Sequence, residues 1–199
     1  MWRLSVLFAL ALCACAPSWP AGLSLPSPVQ SDLPSSTKES VRFRDHTLHP
    51  LARYSVTALV LSKMRYRFDR FAEVSETDLA LGWGVLSQAP VLDRLKFRQN
   101  DRYWFWGYQG DPPASVDELM QSGANTHILV SDTEARRVID HADRGDVLAL
   151  EGALVEVVGD DGFKATSSLS RDDKGAGACE VFFVERARRV PLEELRGAP

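Results

Sequence analysis

Residues 126–158 read THILVSDTEARRVIDHADRGDVLALEGALVEVV, and the fold turns on this stretch. Thr126–Val130 is a short apolar run rich in β-branched residues, which predicts a strand. Asp132 then stands where an N-cap belongs, and Ala135, Val138, Ile139 and Ala142 recur at helical spacing, so a helix follows. Gly145 ends it. Asp146–Glu151 and Ala153–Val158 are strand-like on either side of Gly152, which marks a bend or bulge. The order is strand, short helix, then strands that turn sharply.

Working outward, Tyr54–Ser62 predicts a strand, and Ser75-Glu-Thr-Asp78 has the form of a capping box opening a short helix through Leu79 and Leu81. Leu95–Gln99 and Arg102–Tyr108 are two further strands, and Asn100-Asp101 between them has turn chemistry, so they pair as a hairpin. A helix is expected from Ser115 to near Gly123, a turn at Gly159-Asp-Asp-Gly162, a strong strand at Cys179–Glu185 and a short helix after Pro191. Six or seven short strands with two or three short helices predict an α+β fold, a small and strongly bent antiparallel sheet or barrel, with an OB-like barrel among the forms allowed. The glycines are not spaced for a dinucleotide fingerprint or a P-loop.

The N-terminus has another character. Arg3 is followed by an apolar run, Leu4–Leu12, too short to span a bilayer, which needs about 20 apolar residues. It fits the hydrophobic region of an export signal. Leu12-Cys-Ala-Cys15 resembles a lipobox, so residues 1–14 are expected to be removed and Cys15 to carry lipid. Ala16 after the acceptor resembles the sorting signal for the outer membrane of a bacterial envelope, facing the periplasm. Residues 15–50 hold six of the chain's 11 prolines and read as a Pro/Ser-rich tether, with His46 and His49 at its end as exposed side chains. Residues 51–199 are expected to form one globular domain.

The 199 residues carry a formal net charge of −4, and losing Arg3 with the signal takes the mature chain to −5. That balance argues against broad nucleic-acid binding, which rests on many cations meeting phosphates. Of the 3 cysteines, Cys13, Cys15 and Cys179, processing leaves Cys179 as the one free thiol, so a disulfide scaffold is excluded.

Asp78-Leu-Ala-Leu-Gly-Trp-Gly84, Gly123-Ala-Asn-Thr-His127, Leu150-Glu-Gly152 and Ser167-Ser-Leu-Ser-Arg-Asp-Asp-Lys-Gly with Ala178-Cys-Glu180 resemble a family of uncharacterised exported bacterial proteins. That resemblance implies export and a shared domain over residues 54–186, and no activity. The order His127, Cys179, then arginine is similar to that of sortase transpeptidases. The Thr-Leu-x-Thr-Cys strand end of those enzymes is absent, since Gly177-Ala178 precede Cys179.

Three functional readings follow. The first is a membrane-anchored accessory or binding module, with an envelope protein or glycan as partner, no cofactor and no metal. The second is a cysteine-dependent envelope enzyme in which Cys179 is nucleophile, His127 base and Arg171 electrostatic support; such a pair must lie within hydrogen-bond reach. Against it stands Cys179 as a small buried hydrophobe. The third is oligonucleotide or glycan binding by an OB-like barrel. In Tyr103-Trp-Phe-Trp106 alternate members face opposite sides, so Trp104 and Trp106, with Arg102 and Asn125, are the binding candidates.

Overall fold

The structure, a computed structural model, describes residues 18–34, 39–170 and 178–196. Its strands are β1 (Val29–Ser31), β2 (Val41–Phe43), β3 (His46–Arg65), β4 (Thr77–Gly82), β5 (Lys96–Asn100), β6 (Tyr103–Gly107), β7 (Gly123–Val130), β8 (Val147–Gly159), β9 (Lys164–Thr166) and β10 (Glu180–Arg189). Four short helices accompany them: α1 (Ala89–Leu92), α2 (Val116–Gln121), α3 (Thr133–His141) and α4 (Leu192–Arg196). Single 3-10 turns occupy Arg70–Glu73 and Gly84–Ser87.

Five strands close a ring in the order β3-β4-β7-β10-β8, with β8 pairing back to β3. Every junction is antiparallel except β7 with β10, which run parallel. Numbered in chain order, the ring runs first, second, third, fifth, fourth, and α3 lies between the third and fourth strands. This is the Greek-key closure of an OB-type barrel. Closure needs strands that bend, and each bend has a local cause. Strand β3 serves β8 along most of its length and β4 at its end, with register breaks at Pro50/Ala52 and Val60/Ser62. The first break accommodates a proline, which cannot donate to a ladder. At Gly152 a Cβ would come within 2.0 Å of the Phe183 carbonyl oxygen, opposite the break between Val184 and Arg186. Only glycine lets β8 and β10 approach so closely there.

Alternate residues of all five ring strands fill the lumen: Val56 and Ala58, Leu79 and Leu81, Ala124 and Ile128, Leu148 and Leu150, Phe182 and Val184, with Ala135 and Ile139 of α3 packed among them. Each large side chain so buried stabilises the fold by roughly 1.5–3 kcal/mol relative to exposure. Helix α3 is started as its sequence demands, Asp132 Oδ1 accepting from Ala135 N at 2.8 Å. Helix α2 begins with a full capping box between Ser115 and Glu118. A second cluster, with Leu48, Leu129, Val155 and Val181, lies on the outward face.

Three local expectations are corrected. Residues 77–82 form strand β4, not a helix: both faces of the run are buried, and Ser75 Oγ bonds the Thr77 carbonyl rather than capping a helix. Residues 18–34 and 39–50 are not a free tether. Trp19, Leu23 and Leu25 are buried in the main cluster, β1 and β2 pair with β3, and β3 itself starts at His46. Prolines hold such a segment extended, so isolated apolar residues can dock without any period in the sequence. His46 is accordingly buried, edge-on to Phe163 at 5.8 Å. No helix among the described residues is long and apolar enough to cross a membrane.

Candidate functional site

Antiparallel pairing sets Asp78 of β4 directly across from His127 of β7, and Ala80 across from Asn125. Leu79, Leu81, Ala124 and Ile128 point into the lumen, so Asp78, Asn125 and His127 point outward. On the other flank β10 runs parallel to β7 with Glu180 beside Thr126 and Val181 beside His127, which brings Cys179 level with Asn125. A short strand offset thus gathers residues some 100 positions apart onto one outward patch. The patch is covered by the turn of the β5–β6 hairpin and by the segment between β3 and β4.

Asp78 is fully buried, and its Oδ1 receives two cations: Arg102 Nη1 at 2.8 Å and His127 Nδ1 at 2.9 Å. The His127 contact is ionic, because the ring N–H is not aimed squarely at an acceptor. Burial by itself pushes the His127 pKa down, but Asp78 and the adjacent Cys179 sulfur outweigh it and raise the group from 6.5 to about 9. His127 is therefore an imidazolium at neutral pH, and it lines one cleft with Cys179. Cys179 is half-buried, its Sγ 3.8 Å from Asn125 Nδ2 and 3.9 Å from the Arg102 carbonyl oxygen.

Each of these groups is held from behind. Asn125 Nδ2 donates to the Arg102 carbonyl at 2.8 Å, Gln99 Nε2 donates to Asn125 Oδ1 at 2.8 Å, and Ser62 Oγ donates to Gln99 Oε1 at 2.6 Å. Arg102 makes two bonds through Nη2 to the Asp69 carboxylate and lies 3.8 Å from the Tyr66 ring centroid. The chain around Cys179 is clamped by two serines: Ser168 N donates to the Cys179 carbonyl at 3.0 Å, and Ser167 Oγ accepts from Val181 N at 3.1 Å. The hairpin turn is Asp101-Arg102, with φ of 50° and 68°. Such a turn prefers Asn-Gly, and two bulky residues in the left-handed region cost about 1–3 kcal/mol each. The strain sits where Arg102 reaches Asp78.

Sγ and the imidazole open onto a cleft of about 270 Å³ lined by Phe71, Arg102, Tyr103, Ala165 and Thr166 among others. A thiol, an imidazolium and a buried carboxylate in series, at an accessible cleft, are the parts of nucleophilic catalysis by cysteine. No group of three or more His, Cys, Asp or Glu among the described residues is arranged to hold a metal ion.

The structure thus brings Cys179, His127, Asn125 and Arg102 together. Trp104 and Trp106 are half-buried against the main cluster, and the exposed aromatics of that hairpin are Tyr103 and Phe105. Cys15 and Arg171 lie outside the described residues. Sequence reasoning does not single out Asp78 or Asp69 as site residues. The available signal for Asp78 was an acidic residue opening the otherwise apolar run Leu79–Trp83.

Compared with known proteins, no family model matches the chain, and neither a curated protein nor a solved structure does.

Proposed function

We propose that this chain is a lipid-anchored envelope enzyme that uses Cys179 as a nucleophile in acyl transfer. The observation that carries the reading is the Asp78–His127–Cys179 series at an open cleft. Cys179 is half-buried rather than sealed in the core, and it lines one cleft with His127, which supports the reading. The location adds support. OB-type barrels take ligands on the outward face of their second and third strands and on the loops flanking it. Asp78, Asn125 and His127 occupy that face here, Asp69 and Phe71 lie on the loop after the first ring strand, and Cys179 ends the loop before the fifth.

In the chemistry proposed, the Cys179 sulfur attacks a carbonyl carbon as the thiolate, the reactive form of this residue. An S–C bond forms and the carbonyl electron pair moves to oxygen. As the pair returns, the bond to the leaving group breaks, and His127 supplies that group with a proton. His127, now neutral, takes a proton from water or another acceptor nucleophile as it attacks the thioester. The S–C bond breaks and the starting state is restored. Asp78 stabilises the imidazolium and orients the ring, while Arg102, Asn125 and Gln99 fix the positions of their neighbours. Cys15 carries the lipid that holds the protein at the outer membrane.

A second reading, ligand binding without turnover, draws on Tyr103, which lines the same cleft, and on Phe105, exposed next to it along β6. Their ring centroids are 6.3 Å apart, a platform suited to stacking on a glycan. The two readings part on thiol reactivity. With Cys179→Ala as the blank, iodoacetamide is expected to label native Cys179 at neutral pH about tenfold faster than free cysteine, with a pH profile displaced in His127→Ala. Labelling only after denaturation would remove the enzyme reading and leave the binding one.

A further inference from the structure

The lipid acceptor Cys15 is only four residues from Trp19, and Trp19 is buried. Even fully extended, four residues reach about 14 Å. A lipid on Cys15, as proposed above, therefore leaves the barrel no freedom to stand away from the bilayer: the face carrying Trp19 must lie against it. That face has a definite chemistry. Trp19 packs edge-on to Phe97 of β5 at 5.9 Å, and the Arg144 guanidinium lies 3.9 Å from the Trp19 ring centroid. Arg144 also lines a cleft of about 680 Å³ together with Lys63, Lys96, Asp143, Leu95 and Phe97. Three cations face one carboxylate there, over an apolar floor. Lys63 donates to the carbonyls of Asp140 and Ala142 at the end of α3. Lys96 and Arg144 have no acidic partner among the described residues.

We propose that this cleft is the membrane-docking surface of the protein, in which Lys96 and Arg144 receive the phosphate headgroups of anionic phospholipids. The inference rests on the lipidation of Cys15 for its geometry and on charge for its ligand. The chain as a whole is acidic, so a cationic face next to the anchor stands against the average and directs the body. Each surface cation near an anionic bilayer contributes about 1 kcal/mol, so the patch binds such a surface weakly by itself and adds to the hold of the anchor. The docked orientation also keeps the anchor side and the catalytic cleft on different parts of the β5–β6 hairpin: Lys96 begins β5, whereas Arg102 lies in its turn and Tyr103 begins β6.

The test uses the chain from Ala16 onward, which contains every described residue, and vesicles of phosphatidylcholine with or without one quarter phosphatidylglycerol. Sedimentation with vesicles is expected only when phosphatidylglycerol is present, falling steeply in 0.5 M salt. Lys96→Glu is expected to weaken binding about fivefold or more, and Lys96→Glu with Arg144→Glu multiplicatively. Lys96 makes no contact that the fold needs, so its variant stands even if removing Arg144 from Trp19 disturbs folding. Inorganic phosphate at 10 mM is expected not to compete; full competition would reveal a small-anion site and overturn docking. Equal binding to neutral vesicles, no binding, or indifference to Lys96→Glu would each overturn it too. Intact mass of the full chain extracted from membranes reports Cys15 acylation separately. An acylated chain whose soluble form ignores phosphatidylglycerol sinks the docking surface alone, and an unmodified Cys15 sinks the anchor.

Discussion

Inward from β4 and β7 project Leu79, Leu81, Ala124, Ile128 and Val130; outward from the same two strands project Asp78, Asn125 and His127. Both sets are buried, yet different physics holds them. The inward set gains by leaving water and tolerates any close-packed apolar neighbour. The outward set loses by leaving water and persists only because each group meets a specific partner, a cation on Asp78, an amide on Asn125, a carboxylate and a sulfur on His127. The comparison teaches that one ladder can position a core and a reactive site at once, because a strand's alternation isolates the two within about 5 Å of each other.

The sharpest way to break this contrast is Asp78→Ala. It strands Arg102 and the His127 imidazolium beside a hole, and is expected to cost about 3–5 kcal/mol, read from the urea midpoint, as for loss of one partner of a buried pair. Its inward neighbour Leu81→Ala is expected to cost about 2–5 kcal/mol by leaving a cavity, while iodoacetamide reactivity per folded molecule keeps the wild-type pH profile. Equal disturbance of that profile by both variants would show that the faces are not independent.

A milder probe is pH. The folded pKa of His127, about 9, lies above its ordinary 6.5, so this group's stabilisation is fully present below about pH 6.5 and is lost as pH rises through about 9. The shift corresponds to at most about 3 kcal/mol. Melting temperature is expected to fall across that window in the wild type and to stay flatter in His127→Gln; parallel curves would remove His127 as the cause. The smallest effect is expected from Asp101→Gly. Relief of the positive φ at a turn position should stabilise the fold by about 1 kcal/mol, with Arg102 and the thiol profile unchanged.

Much of this was legible in the chain and some was not, for reasons that differ by residue. Helix α3 and the existence of the β5–β6 hairpin could be read because their signals are local, an N-cap aspartate with helical spacing and turn residues between strand-like runs; the turn itself falls at Asp101-Arg102, one residue beyond the Asn100-Asp101 expected. His127 and Cys179 stood out as the histidine within an expected strand and the one cysteine outside the N-terminal segment. Asp78 was misread because Ser75-x-x-Asp78 has a helix-start pattern, and that local preference yields to pairing with β3 and β7 on either side. Trp19, Leu23 and Leu25 were assigned to a tether because three apolar residues among prolines have no period, and only the surface they dock on makes them core.

The sequence by itself determined that the chain is rich in short strands joined by turns, where helix α3 and its cap begin, and that the sheet must bend, since these follow from side-chain alternation, backbone restriction and composition within a few residues. Only the tertiary structure decided that Asp78, Arg102, Asn125, His127 and Cys179 meet. Their meeting depends on β10 entering the ring parallel to β7 and on the hairpin turn closing over β4. Both are long-range pairings, chosen by closure of the barrel as a whole, and no short stretch of chain contains the information to choose them.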